Sequence, residues 1–551
     1  MRIKFLLVFC ALWLALPTQA QPSIKWFLNA SNDSVYNSKI ADFGLDSKGN
    51  VISIGTLSNI ADLDPSPLAQ DTALTKRGDN FYISKVSPSG KLIWVKFLKS
   101  KNVGTSFVWH HLVIDHSDNI IVTSGFFGVM DYDPSAAEKL FTSRKPTYND
   151  FVFAKYNPSG DLLWANSYGT GFGSSTEEIT GLNILPDNRI IALMTSLSLG
   201  IDMDPSPAIR NSGSSGTTAL CYNSDGSLSW LTNFPKTTSY PVKGRSFALG
   251  SSSELYAISI GYYETTITKL DTSGRVFWNK TIGKFSDGAR VNSTGIIGDK
   301  SGGFVLYGDF LNTVDFEPGT KVKEISTADG FDTELFIASY DSSGNLHWIN
   351  TIKGQGAITD AVRDGNDLWM SGNITGTINL NANHSINGAS STLPGGYWFQ
   401  VGLDGTYKDA VSIGAISNIT RLAKQDNYLL NNGTIGAGIP CDIDFSSKTT
   451  NIQSKFGGAY LAAYTLMNPA SITGIENQDL MAYPNPAQDF INISSSKSLT
   501  GNFQVMNITG EVVISGKFSD TQKQNTIQIS NLSPGIYYFS ANSIKVKFVK
   551  Y

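Results

Sequence analysis

Apolar residues along this chain fall in runs or alternations of about five to seven residues, each ended by a polar turn. Val51-Ile52-Ser53-Ile54-Gly55 and Phe81-Tyr82-Ile83-Ser84-Lys85-Val86 show the pattern, beside the turns Asp46-Ser47-Lys48-Gly49-Asn50 and Ser87-Pro88-Ser89-Gly90. Glycine supplies the positive φ that such tight hairpins need, so the pattern predicts antiparallel strands joined by short turns.

The pattern is also periodic. A turn with Gly, an apolar stretch and then Trp recurs as SPSGKLIW ending at Trp94, NPSGDLLW at Trp164 and NSDGSLSW at Trp230. DTSGRVFW at Trp278 and DSSGNLHW at Trp348 continue it, and GLDGTYKDAV puts Asp409 at the Trp position. From Trp26 onward these positions are 68, 70, 66, 48, 70 and 61 residues apart. Four strands per period make a propeller blade. The last copy, around 459–469, lacks a Trp strand, while residues 23–30 hold a Trp strand with no partner before it. The N-terminal strand is therefore expected to complete the last blade. Counting that way gives seven blades over residues 21–468; six or eight stay open because the fourth copy is short. The repeat resembles the secreted bacterial β-propeller families, SBBP-type repeats above all, and that resemblance implies a fold rather than an activity.

Both ends indicate export. Arg2 and Lys4, the apolar run Phe5 to Leu16, and small residues Thr18 and Ala20 before Gln21 read as a signal peptide over residues 1–20. No later stretch is long and apolar enough to span a bilayer, so the mature chain is expected to lack a transmembrane segment. Removing the signal takes Cys10 with it and leaves Cys221 and Cys441, too few for a disulfide framework. Both are expected as buried free thiols.

Residues 469–476 read as a linker, and 477–551 as a small β-sandwich of alternating strands and Gly turns. This segment resembles the type A C-terminal sorting domain of the type IX secretion system, an outer-membrane export route of the Bacteroidota. The resemblance rests on Tyr483-Pro484-Asn485-Pro486, Gly510, the Leu532–Tyr538 segment with Gly535 and Tyr537, and the basic end Lys545, Lys547 and Lys550. It implies that the type IX translocon and its sorting machinery are partners. It also implies that the domain is removed after transport, with the cargo anchored at the surface or released.

Composition narrows the function classes. The 551 residues carry 42 Lys+Arg against 46 Asp+Glu, a net charge of −4 with no basic footprint for nucleic acid. With 16% charged residues and 52 Gly, the chain suits turn-rich β structure rather than long helices or disorder.

An acidic pair recurs in one loop of five periods: Asp62/Asp64, Asp131/Asp133, Asp202/Asp204, Asp315/Glu317 and Asp442/Asp444, with Asn379/Asn381 in the sixth copy. Residues i and i+2 of an extended segment share a face, so each pair has the placement for Ca²⁺ if loop carbonyls complete the shell. The alternative is mechanical, with Asp closing a turn and the following Pro ending a strand. Replacement by Asn favours the turn, and no other cofactor is assigned.

Trp26, Trp94, Trp164, Trp230, Trp278 and Trp348 are expected to pack between sheets rather than to stack on sugars. His110 and His111 sit next to each other in the chain with His116 nearby; adjacent strand residues face opposite ways, so no catalytic or metal role follows. No nucleophile elbow, zinc-protease helix or sialidase turn is present. Tyr262-Tyr263 and Tyr397-Trp398 receive no role. A binding or adhesion module for glycan or protein is the leading expectation. The alternatives are a polysaccharide- or peptide-degrading enzyme with its site at the channel, and a structural surface-layer protein.

Overall fold

A computed structural model describes residues 22–30, 38–57, 61–65, 72–73, 80–101, 106–145, 150–169, 178–196, 200–212, 216–234, 246–250, 253–283, 288–299, 301–328, 332–381, 384–387, 395–413, 416–436, 441–443, 451–452, 458–466, 480–483, 487–495, 501–507, 511–518, 524–541 and 544–551. Their regular structure is all β. The chain divides into two compact units, Gln21–Leu466 and Met467–Tyr551. The expected signal peptide and linker lie outside the described residues.

Among the described residues, the larger unit contains seven antiparallel sheets of four main strands each. Sheet one runs Lys39–Leu45, Val51–Leu57, Asn80–Val86 and Leu92–Ser100. Sheets two to six repeat that order, beginning at Ser106, Glu178, Phe247, Arg290 and Gly356. Sheet seven is Ile416–Gln425, Tyr428–Ile435 and Gly458–Thr465, and its fourth strand is Ser23–Asn29, which pairs antiparallel with Gly458–Thr465. The N-terminal strand thus completes the last sheet, as the orphan Trp26 strand predicts. The first strand of each sheet touches those of the sheets before and after it, and the seventh touches the first.

The core lies between sheets. Seven apolar clusters are each shared by neighbouring sheets, including one joining sheet seven to sheet one around Trp26, Phe43, Val51 and Leu461. Second and third strands are covered on both faces, so they need apolar residues in continuous runs. Asp150–Tyr156, buried along its whole length, is the clearest case. Fourth strands are covered on one face only, and Val276–Ile282 accordingly alternates half-buried and exposed residues.

One contact recurs at these junctions. Each repeat Trp lies against the turn glycine of the next sheet: Trp26 on Gly90, Trp94 on Gly160, Trp164 on Gly226, Trp230 on Gly274, Trp278 on Gly344 and Trp348 on Gly405. A Cβ on those glycines would stand 2.5–3.1 Å from the indole, and their φ values run from +77° to +87°. Glycine is needed twice over, for close approach and for conformation. Trp164, Trp230 and Trp348 also donate Nε1–H to carbonyls of Ser224, Thr272 and Leu403 at 3.1, 3.0 and 2.8 Å. Packing between sheets is therefore their structural role. Cys221 is buried among these layers as a free thiol, its pKa pushed up to about 12 by burial.

Opposite Trp94, Trp164 and Trp278 the facing residue is a lysine that adds a polar tie. Lys155, opposite Trp164, binds Asp115 of its own sheet at 2.9 Å and the Ser224 carbonyl of the next at 3.2 Å. Lys85 and Lys269 do the same through Asp46 and Glu254. Where Cys221 replaces Lys, Arg189, just before the adjacent strand Ile190–Ser196, reaches the Thr272 carbonyl at 3.0 Å.

The smaller unit packs a three-stranded sheet, Leu480–Tyr483, Phe490–Ser495 and Gln524–Gln528, with a four-stranded one. Ile491, Ile493, Val505, Ile527, Phe539 and Phe548 are buried between them.

Gly226→Ala should lower stability by about 1–3 kcal/mol, because the new methyl meets both Trp164 and an unfavourable φ. Gly365→Ala, with φ +63° and nothing within 4 Å of the new Cβ, should cost about 1 kcal/mol. Chemical denaturation of the two variants checks the difference; equal losses would deny the Trp contact its weight.

Candidate functional site

The acidic loops are closed turns wherever their side chains are described. Asp131 Oδ1 accepts the Asp133 and Lys139 amides at 3.1 and 2.9 Å. Asp202 Oδ1 accepts those of Asp204 and Arg210 at 3.1 and 2.9 Å, and Asp315 Oδ1 those of Glu317 and Lys323 at 3.0 and 2.8 Å. The first acid thus staples an eight-residue loop in each case.

The second acid bonds onward. Asp133 and Asp204 accept the amides of Ser135 and Ser206, while Asp64 and Glu317 accept those of Leu92 and Leu346 at the start of the fourth strand. The residue between the acids (Leu63, Tyr132, Met203, Phe316 or Ile443) is buried as a plug. Its carbonyl accepts a tyrosine hydroxyl in three sheets, from Tyr156, Tyr222 and Tyr340. Basic side chains stand nearby, Lys101 Nζ 3.6 Å from Asp131 and Arg210 Nε 3.5 Å from Asp204. Among the described residues, no group of three His, Cys, Asp or Glu is placed to hold a metal ion. Asp444 and the side chains of Asp62 and Asp442 lie outside the described residues.

A second polar constellation sits where the first strands meet. In these strands the register shifts just before Asp42, Gly181, Gly295, Asp360 and Arg421, and in sheet two just before His110-His111. The bulge turns the following residue to one common level. Arg421 binds Asp42 in a fork, Nε to Oδ1 and Nη2 to Oδ2, both at 3.1 Å, and its Nη1 lies 4.0 Å from Asp360 Oδ1. Asp42 also accepts the Leu112 amide at 3.0 Å, and Asp360 that of Leu422 at 2.8 Å. Burial disfavours the charge on Arg421, but Asp42 and Asp360 outweigh it and hold the guanidinium above its ordinary pKa.

The glycines of this level admit neighbours. A Cβ on Gly181 would stand 2.1 Å from Ser246 Oγ, and one on Gly295 2.3 Å from the Tyr307 hydroxyl. A cavity of about 70 Å³, lined in part by Asp42, Leu112, Ser246, Phe247 and Arg421, opens here. Sequence reasoning missed Asp42, Asp360 and Arg421. The available signal was the recurring triplet Ile40-Ala41-Asp42, Ile179-Thr180-Gly181, Ile358-Thr359-Asp360 and Ile419-Thr420-Arg421.

His111 belongs to the same neighbourhood. It hydrogen-bonds the Ile179 backbone, and its Nδ1 is buried with no partner among the described residues. Burial, helped by the charge of Arg421 and opposed by Asp42, lowers its pKa to about 4.

In the smaller unit, the sequence-predicted sorting residues meet in part. Ala487, next after the Tyr-Pro-Asn-Pro segment, donates its amide to Val549 O at 2.7 Å and accepts the Tyr551 amide at 2.9 Å. Val549 and Tyr551 therefore hold Ala487. Tyr537 is buried with its hydroxyl on Ser533 O at 2.8 Å, and Gly535 pairs with Lys550. Tyr483 is exposed. Lys545 and Lys547 pair with Ser540 and Tyr538 across the last hairpin. Pro484, Asn485, Pro486 and Gly510 lie outside the described residues.

Residues 481–550 match the family described as the secretion system C-terminal sorting domain. The protein is exported, to the cell surface or beyond it. The sorting match accounts for the smaller unit alone, and the sorting machinery is the partner it implies. No curated protein matches the chain. Among solved structures, BamB from Moraxella catarrhalis is 11% identical, over 81% of this chain and 99% of that one, with a TM-score of 0.37. A protein of unknown function from Dyadobacter fermentans is also 11% identical, over 67% and 97%, again with a TM-score of 0.37. At these scores neither likeness decides fold or activity, and the architecture rests on the sheets themselves.

His111 generates a pH dependence. Unfolded, its ordinary value is 6.5; folded, it stays neutral down to about pH 4. Between those values the unfolded chain takes up a proton that the folded chain refuses, so stability falls as pH drops through this window, by up to about 3 kcal/mol. Melting curves from pH 7 to pH 4 should show that slope, and His111→Gln should flatten it. An unchanged slope in the variant would place the titration elsewhere.

Proposed function

We propose that this chain is an exported binding module. Residues 21–468 form a seven-bladed propeller closed by the strand Ser23–Asn29, and residues 477–551 deliver it through the type IX translocon after loss of the signal peptide 1–20. The pairing of Ser23–Asn29 with Gly458–Thr465 carries the ring reading, supported by the contacts that run from each first strand to the next. SBBP-type repeats fit that reading through the turn–Gly–apolar–Trp pattern.

Binding is favoured over hydrolysis by the use made of the acids. Asp131, Asp202 and Asp315 each hold their own loop, and Asp42 is occupied by Arg421 and the Leu112 amide. A general acid or nucleophile needs an oxygen free for substrate. A rigid frame presenting loops needs none, and suits a glycan or protein ligand outside the cell.

Two experiments test these readings. Deleting residues 475–551 in a host with type IX export should strand the protein in the periplasm, and normal surface display would overturn the sorting role. The acidic loops act as turns in this reading, so Ca²⁺ added after chelation should give no saturable heat and no rise in melting temperature. A bound ion at a hundredfold excess over Kd would instead add about 2.7 kcal/mol of stability.

A further inference from the structure

Six of the seven sheets carry an accessory ribbon between their second and third strands. Five are short antiparallel pairs, such as Val129–Asp131 with Leu140–Thr142 and Thr313–Asp315 with Glu324–Ser326, and sheet three has the single bridge Asp202–Asn211. Sheet four breaks the rule. There Ile260 passes to Thr265 through the turn Gly261–Glu264, closed by the Gly261 amide on Glu264 O at 2.8 Å. This is the origin of the 48-residue period.

The turn puts two tyrosines where the other sheets have a ribbon. Tyr262 is 60% exposed, and its ring meets that of Tyr263 edge-on with centroids 4.3 Å apart. The turn is held from the next sheet by the Val291 amide on Tyr263 O at 3.2 Å. Among the described residues none bonds the half-buried Glu264 carboxylate.

We propose that this turn is a glycan-contact site, with the Tyr262 ring stacking on the C–H face of a sugar and Glu264 accepting its hydroxyls. The inference rests on the binding reading and assigns it a place. A fixed aromatic face beside an acceptor is the pairing that a pyranose ring complements. A protein partner would need about 800 Å² on each side and a cluster of buried anchors, and one exposed ring on a four-residue turn is a footprint for a small ligand.

The test uses the full mature chain and four probes: cellohexaose, xylohexaose, mannohexaose and chitohexaose, titrated by calorimetry. At least one should bind. Tyr262→Ala should weaken that binding about tenfold and Glu264→Gln about threefold, both at unchanged melting temperature. Failure of all four probes to bind the wild type would overturn the inference, and so would equal affinity in Tyr262→Ala. The second result would leave a glycan-binding module with its site elsewhere. If the probes fail, immobilised wild-type chain and Tyr262→Ala capturing the same surface protein would keep the binding reading while this site falls.

Discussion

The architecture depends on indole rings seated on glycines across sheet boundaries. A single four-stranded sheet of this chain cannot bury both faces of its middle strands, so each must be covered by its neighbours. The Trp-on-Gly contact fixes how closely and in what register neighbours meet, since any side chain on Gly90, Gly160, Gly226, Gly274, Gly344 or Gly405 would strike the indole. Lysines opposite three of the Trp residues add a charged tie that also hydrogen-bonds a carbonyl of the next sheet, and such added bonds favour a buried ion pair. Lys155 with Asp115 and Ser224 illustrates it.

That contact also explains an irregularity. Asp409 stands where the sixth copy should have Trp, facing sheet seven. Sheet seven has no hairpin between its third and fourth strands, because its fourth strand comes from the other end of the chain. Among the described residues there is thus no turn glycine for an indole to rest on. At this junction the ties lie farther in: the Asp360 bond to the Leu422 amide, the Thr359 hydroxyl on Ile419 O and the ion pair Lys424–Asp364. Arg421 then carries the link across to Asp42 in sheet one. The first and last sheets are thus joined by charge at their first strands, and by the apolar cluster around Trp26, Phe43, Val51 and Leu461.

Departures from the repeat coincide with features that the frame itself does not require. In sheets two, three and five the first acid of the loop keeps the same two amide bonds. The fourth sheet drops its loop and shows two tyrosines instead. The sorting unit has a core of its own, and Val549 and Tyr551 are bonded to Ala487 within it.

The sequence by itself determined the strand periodicity, the Trp repeat, the completion of the last sheet by the N-terminal strand and the sorting domain. Each is local in the chain or repeats at a fixed interval, and period-two patterning with Gly turns leaves little freedom. It also offered a turn reading of the acidic pairs, because Asn in the sixth copy can close a turn as Asp does. Tertiary structure alone decided the rest. Asp42 and Arg421 are 379 residues apart and nothing local announces their pairing. Tyr262-Tyr263 and Tyr397-Trp398 look alike in sequence, yet Tyr397 and Trp398 are wholly buried while Tyr262 faces solvent. The reason is geometric: a third strand is covered on both faces by neighbouring sheets, while Tyr262 projects from a tight turn and is 60% exposed.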